Sequence, residues 1–173
     1  YVRPVWKRNA EEERLLGVSF TGIMDHPLLS GAETEDTNVL SAILKELRDH
    51  AIETNKEWSG KLGINPSVAI TTVKPSGTVS QLVDSASGIH PRHSLYYLRA
   101  VRADKKDPLA KFMVTKGFPY EDDVTKPDTS YVFYFPIASP VNSITRKEVD
   151  PIFQLDFYAK FKQYWCEHNA SIT

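Results

Sequence analysis

The sequence predicts an α/β fold, and three observations carry that expectation. Leu40, Ile43, Leu44, Leu47, Ala51 and Ile52 recur at helical spacing and mark one apolar face. The β-branched run "SVAITTV" (67–73) reads as a short buried strand. That strand runs through Lys-Pro-Ser-Gly-Thr (74–78) into a helical pattern, the strand–turn–helix order of α/β architectures.

Taken in order, "AEEERLL" is a helix candidate within the charged opening residues. "GVSFTGIMDH" (17–26), punctuated by Gly17 and Gly22, suits a buried strand and a turn. The helix over 36–58 has Asp36 or Thr37 as its cap, and Gly60 and Gly63 stop it. A short helix is expected over 76–86, with Gly88 and Pro91 ending the unit. "LYYLRAVRA" (95–103) is a strand whose alternation puts Tyr97, Arg99 and Val101 on one face. In "DPLAKFMVTKG" (107–117), Asp107 caps a helix, Pro108 opens it and Gly117 ends it. "TSYVFYFPI" (129–137) is an aromatic strand ended by Pro136, and 148–168 is an aromatic-rich helix capped by Asp150 and opened by Pro151. Residues 95–137 read as a strand–helix–strand excursion from the main sheet. Neither repeats nor a linker divide the chain, so one partial domain is expected over 1–173. Both ends read as interior to a longer chain, with Ser171, Ile172 and Thr173 opening a strand.

The 173 residues are 41% hydrophobic and 25% charged, with a net charge of −1. That is ordinary for a globular protein and argues against a broadly basic nucleic-acid surface. No apolar run approaches the roughly 20 residues that span a bilayer, so no membrane partner is expected. Cys166 is the single cysteine, which rules out an internal disulfide and favours a reducing, cytoplasmic setting.

At the Lys-Pro-Ser-Gly-Thr junction two readings stand. A helix start leaves backbone N–H groups without internal partners and carries partial positive charge, which suits a phosphate. Gly77 lets an oxygen approach its backbone, Ser76 and Thr78 add hydroxyls, and Lys74 can add a charge. The plainer reading is that Ser76 or Thr78 caps the helix. The junction is neither a P-loop nor a dinucleotide turn, since it has one glycine.

The remaining candidates are weaker. His90 and His93 flank Pro91 and Arg92 with no cysteine or carboxylate to complete a metal set, so no metal is assigned. Arg92 is a candidate second anion contact. Cys166 and His168 lie too close on a helix to face one another as a dyad, and Cys166 reads as a small apolar side chain. "EDD" (121–123) lacks calcium-loop spacing, and "YVFYF" reads as core rather than a base-stacking platform. The residues alone offer one ligand site and no catalytic set.

"TTVKPSGTVSQLVDSASGIHPRHS" resembles the large catalytic chain of ribonucleotide reductases, closest to the adenosylcobalamin-dependent branch of monomeric ribonucleoside-triphosphate reductase type. "EEERLLGVSFTGIMDHPLL", "YYLRAVRADKKDPLAKFMVTKGFPYE", "TSYVFYFPIASP" and "FKQYWCEHNASIT" resemble further segments of that chain, in family order. The resemblance implies the C-terminal part of a ten-stranded α/β barrel that reduces ribonucleoside tri- or diphosphates to 2′-deoxyribonucleotides by thiyl-radical chemistry. It implies adenosylcobalamin as cofactor and an external dithiol reductant such as thioredoxin. Carried over, it assigns substrate phosphates to Ser76, Gly77, Thr78 and Val79. The family's Asn-x-Cys-x-Glu finger-loop pattern is absent, and Cys166 sits in the wrong segment for any of its three cysteines. No catalytic residue is therefore expected here, and the isolated chain is expected to be inactive. An iron-dependent or glycyl-radical reductase shares the phosphate turn and stays an alternative, as does a non-catalytic phosphate-binding module. Exposed strand edges of a partial barrel imply self-association.

Overall fold

Pro4 opens the first helix, α1 (Pro4–Glu13), where a missing N–H costs nothing. Its C-cap, Arg14, takes a left-handed φ of 46° and donates its N–H to the Ala10 carbonyl. This is a computed structural model, and it describes residues 2–31, 37–141 and 143–168. They divide into two compact units: residues up to Arg92 together with those after Val141, and residues His93–Val141.

In the first unit, β1 (Val18–Ser19) pairs in parallel with β2 (Thr71–Thr72), Val18 opposite Thr71. The β2 threonines are buried as expected, whereas β1 is short and exposed rather than a buried strand. A 3-10 turn (Ile23–Asp25) and the single-turn helix α2 (Pro27–Ser30) follow β1. Helix α3 (Thr37–Leu62) buries Leu40 and Leu44 on its apolar face. It runs through Gly60 and stops only before Gly63, which takes a φ of 65°. A glycine inside a helix costs up to about 1 kcal/mol, and Gly60 in the last turn does not break a helix of this length. The cap expected at Asp36 and the strand at Ser171–Thr173 lie outside the described residues, as does the Thr37 side chain.

Beyond β2, α4 is only Val79–Leu82, shorter than the helix expected over 76–86. The last helix of this unit is α6 (Pro151–Tyr164), with Asp150 accepting from the Ile152 and Phe153 N–H groups. Its Phe157 and Phe161, with Trp165 just beyond, join Ile23, Met24, Leu40, Leu44 and Ile89 in the core. Trp165 also donates from Nε1 to the Thr72 carbonyl at 2.8 Å. Glu167 accepts from the Ile70 and Thr71 N–H groups at 3.0 and 3.1 Å. The chain after α6 is thereby tied to β2, the strand that leads into the candidate turn.

The second unit is a three-stranded antiparallel sheet with one helix. Strand β3 (Tyr96–Asp104) pairs with β5 (Ser130–Ala138), which pairs with β4 (Tyr120–Asp122). Helix α5 (Pro108–Thr115) joins β3 to β4, capped by Asp107, which accepts from the Leu109 N–H. The excursion expected at 95–137 is thus strand–helix–strand–strand. Pro136 does not end β5, because β4 covers only Tyr131–Phe133 and leaves the strand edge open beside the proline.

Asp123 is the buried carboxylate of this unit. Its Oδ1 accepts from the Thr125 N–H and hydroxyl at 2.9 and 2.8 Å, and its Oδ2 from Arg102 Nε at 2.7 Å. The Thr125 backbone and hydroxyl bonds, then Arg102, hold its carboxyl below the usual range. A depressed folded value contributes stability that is present above the unfolded value and lost as pH falls through the folded one. Acid titration followed by near-ultraviolet circular dichroism is expected to show the tyrosine-rich sheet losing structure below the ordinary carboxylate range. Asp123→Asn is expected to be less stable at neutral pH and to respond less to acid.

Candidate functional site

The turn at 74–79 is built from β2 outward. The Lys74 N–H donates to Ser19 Oγ at 3.0 Å, which fixes the strand exit beside β1. Ser76 is held at every polar atom. Its N–H donates to Ser87 Oγ at 2.8 Å, and Ser87 Oγ donates to the Ser76 carbonyl at 3.0 Å. The Ser80 hydroxyl donates to the same carbonyl at 3.0 Å, and the Ser80 N–H donates to Ser76 Oγ at 3.1 Å. Ser76 is therefore the residue whose side chain caps α4, while Thr78 makes no side-chain cap. Gly77, Thr78 and Val79 are exposed at the head of the turn. The first residues of a helix have no internal partner for their N–H groups, so the Thr78–Val79 backbone is oriented to receive an acceptor.

The Ser76 N–H is engaged by Ser87, which leaves the Ser76 hydroxyl hydrogen rather than its amide to meet an outside acceptor. With α4 a single turn, the dipole contribution is small, so an acceptor at this turn would meet individual N–H and O–H donors.

Arg92 is not an anion contact. It is 3% exposed, and its guanidinium is engaged on all sides. Nε donates to Asp25 Oδ1 at 2.9 Å, and one terminal nitrogen donates to Asp25 Oδ2 at 2.8 Å and to the Asp84 carbonyl at 2.6 Å. The other meets Asp84 Oδ1 at 3.2 Å. Burial opposes the charge, but the bonds to Asp25 and Asp84 outweigh it and hold the group above its ordinary value. Asp25 Oδ2 also accepts from the Ala86 N–H at 2.6 Å. The triad thus fastens the strap of residues 84–88 over the turn. Lys74 stays exposed beside the turn and keeps its candidate role.

Gly88 closes the strap. Its φ is +53°, and a Cβ there would lie 3.1 Å from the Lys74 carbonyl oxygen and 3.3 Å from Pro75 Cα. Around Gly77, by contrast, a Cβ meets nothing within 4 Å. The other candidates are occupied. His90 Nδ1 lies 3.1 Å from the Ser87 carbonyl, and His93 packs on Tyr97 with ring centroids 5.5 Å apart. Cys166 is half-buried against the core, and burial pushes its thiol up despite a bond to the Val73 backbone. Among the described residues, no three His, Cys, Asp or Glu side chains group as a metal site, and no helix is long and apolar enough to cross a membrane. Sequence reasoning missed Ser87, Asp25 and Asp84. The only local signal was Gly88 closing the serine-containing stretch "DSASG".

No family profile matches the chain. The adenosylcobalamin-dependent ribonucleoside-triphosphate reductase of Euglena gracilis is 28% identical over 171 residues, covering 97% of this chain and 23% of the relative. The reductase of the same name from Lactobacillus acidophilus is 29% identical over 193 residues, covering 98% of this chain and 26% of the relative. Over nearly its whole length the chain is similar to adenosylcobalamin-dependent ribonucleotide reductases. It spans about a quarter of the length of the reductases it matches. A crystal structure of a B12-dependent, class II ribonucleotide reductase superposes with a TM-score of 0.77 at 24% identity, covering 97% of this chain and 27% of that one. The chain therefore shares the α/β fold of that structure.

Proposed function

We propose that this chain is a segment of an adenosylcobalamin-dependent ribonucleotide reductase and that its task is to seat the substrate's phosphates. In the intact protein it forms part of the ten-stranded catalytic barrel, with 1–173 as one portion of that domain. The observation that carries the reading is similarity over nearly the whole chain to reductases of that name, with the Ser76–Val79 turn inside the matched stretch. The names of these relatives favour the cobalamin branch over the iron-dependent and glycyl-radical alternatives, and favour a triphosphate substrate.

The division of labour follows from the donors. Hydroxyls of Ser76 and Thr78 and backbone N–H groups of Gly77, Thr78 and Val79 receive phosphate oxygens, with Lys74 adding charge from the strand exit. A phosphate fixed there holds the rest of the nucleotide in one orientation, which is what this segment contributes to rate. In the intact enzyme adenosylcobalamin supplies the radical, and an external dithiol such as thioredoxin supplies the electrons. Cys166, His90 and His168 do not fit a cobalamin seat. The thiol is half-buried and packed against the core, and His90 and His168 each place a ring nitrogen against a backbone carbonyl.

The exposed apolar surface supports the same reading. A cavity of about 790 Å³ between α1 and the end of α3 is lined by Trp6, Leu16, Trp58, Leu62 and Ile64, away from the turn. Trp6, Trp58 and Leu62 are more than half exposed, a surface suited to packing against further parts of a barrel or against a second copy of the chain. The test is anaerobic turnover with a ribonucleoside triphosphate, adenosylcobalamin and a dithiol. The chain by itself is expected to form no deoxyribonucleotide, and the intact cytoplasmic protein is expected to form it. Turnover by the chain alone would contradict the reading.

A further inference from the structure

We infer that Ser87 is a positioning residue: its hydroxyl orients the peptide between Ser76 and Gly77 and so aims the donors of the turn. The inference rests on the phosphate reading above. One hydroxyl accepts from the Ser76 N–H at 2.8 Å and donates to the Ser76 carbonyl at 3.0 Å, gripping both backbone groups of one residue. The Ser80 hydroxyl, on a residue with no exposed surface, joins it on that carbonyl at 3.0 Å. A trans peptide is planar, so the Gly77 N–H points opposite to the Ser76 carbonyl. Holding the carbonyl toward Ser87 and Ser80 therefore turns the Gly77 N–H away from the strap.

Ser87 can do this because its own backbone is fixed from the other side. The Ala86 N–H donates to Asp25 Oδ2 at 2.6 Å, and the Ala86 carbonyl accepts from the Gly22 N–H at 2.7 Å and the Thr21 hydroxyl at 3.0 Å. The Gly88 carbonyl accepts from the Ile23 N–H at 3.4 Å. The order of command runs from the Arg92–Asp25 pair to the strap, from the strap to Ser87, and from Ser87 to Ser76. An ordinary capping serine would touch one backbone group near its own helix. Ser87 lies 11 positions away and touches two.

The experiment compares the unaltered chain with Ser87→Ala and Ser87→Thr by two readouts. Amide hydrogen exchange of Ser76 reports the grip, and calorimetric titration with inorganic triphosphate reports donor aim. In Ser87→Ala, Ser76 exchange is expected to accelerate about tenfold and the triphosphate Kd to rise about tenfold, the scale of one lost hydrogen bond. The unfolding midpoint is expected to move little, and Ser87→Thr, which keeps the hydroxyl, is expected to restore both values. Unchanged exchange and binding in Ser87→Ala would overturn the inference. If the unaltered chain binds no triphosphate, the phosphate reading fails by itself and Ser76 exchange decides alone. Acceleration rescued by threonine then upholds the positioning role, and unchanged exchange overturns it.

Discussion

Replacing Arg92 with alanine is expected to lower stability by about 3–5 kcal/mol, measured by urea unfolding. The guanidinium is 3% exposed and the Asp25 side chain 14% exposed, so removing the cation strands a carboxylate that is itself largely out of water. The Asp84 carbonyl loses its partner in the same step. The contrast is Asp84→Ala. The Asp84 side chain is 72% exposed, and its ion pair with Arg92 is screened by solvent. That substitution is expected to cost less than about 1 kcal/mol. A similar cost for the two variants would mean that Asp25 does not anchor the strap through Arg92.

Gly88→Ala is expected to cost about 3 kcal/mol and to loosen the candidate turn. Two terms add. A φ of +53° disfavours any residue with a Cβ, by about 1–2 kcal/mol. The new Cβ would also press on the Lys74 carbonyl and Pro75 Cα, backbone atoms that cannot rotate away. Because those atoms lead into Ser76, the damage is expected at the site as well as in the unfolding midpoint. Gly77→Ala is the matched control. Gly77 has no positive φ and open space where the Cβ would go, so its effect on stability is expected to stay within about 1 kcal/mol.

Much of this arrangement was legible in the sequence where the cause is local. Asp150 before Pro151 and Asp107 before Pro108 announced their helix starts, and both carboxylates accept the expected N–H groups. The β-branched run ending at Val73 announced β2, because buried threonine and valine suit a paired strand. The length of α4 was not legible. Its continuation is broken by Asp84, which takes a φ of 48°, and by Ser85 turning its N–H back to the Ser80 carbonyl. Ser80 bonding its hydroxyl to the Ser76 backbone is the kind of local competition that shortens helices.

The support of the site was out of reach for a different reason. Arg92 looked like a free cation in a loop, and only the fold brings it to Asp25, 67 positions away. The grip of Ser87 on Ser76 likewise depends on the strap folding back, and serine at a distance of 11 residues has no periodic signature. The turn itself was visible because Pro, Ser, Gly and Thr suit the backbone geometry of a turn, which sequence reports directly. What holds the turn in place is tertiary, and no local pattern reports it.

The central claim is that the Ser76–Val79 turn seats a polyphosphate, and the most direct measurement is isothermal titration of this chain with a ribonucleoside triphosphate and with inorganic triphosphate. It is made on the unaltered chain and on Gly77→Val, a position where the fold leaves room for a side chain and the ligand does not. Both ligands are expected to bind the unaltered chain, with binding lost in Gly77→Val while the unfolding midpoint holds. Equal binding by both proteins, or no binding by the unaltered chain, would contradict the phosphate seat.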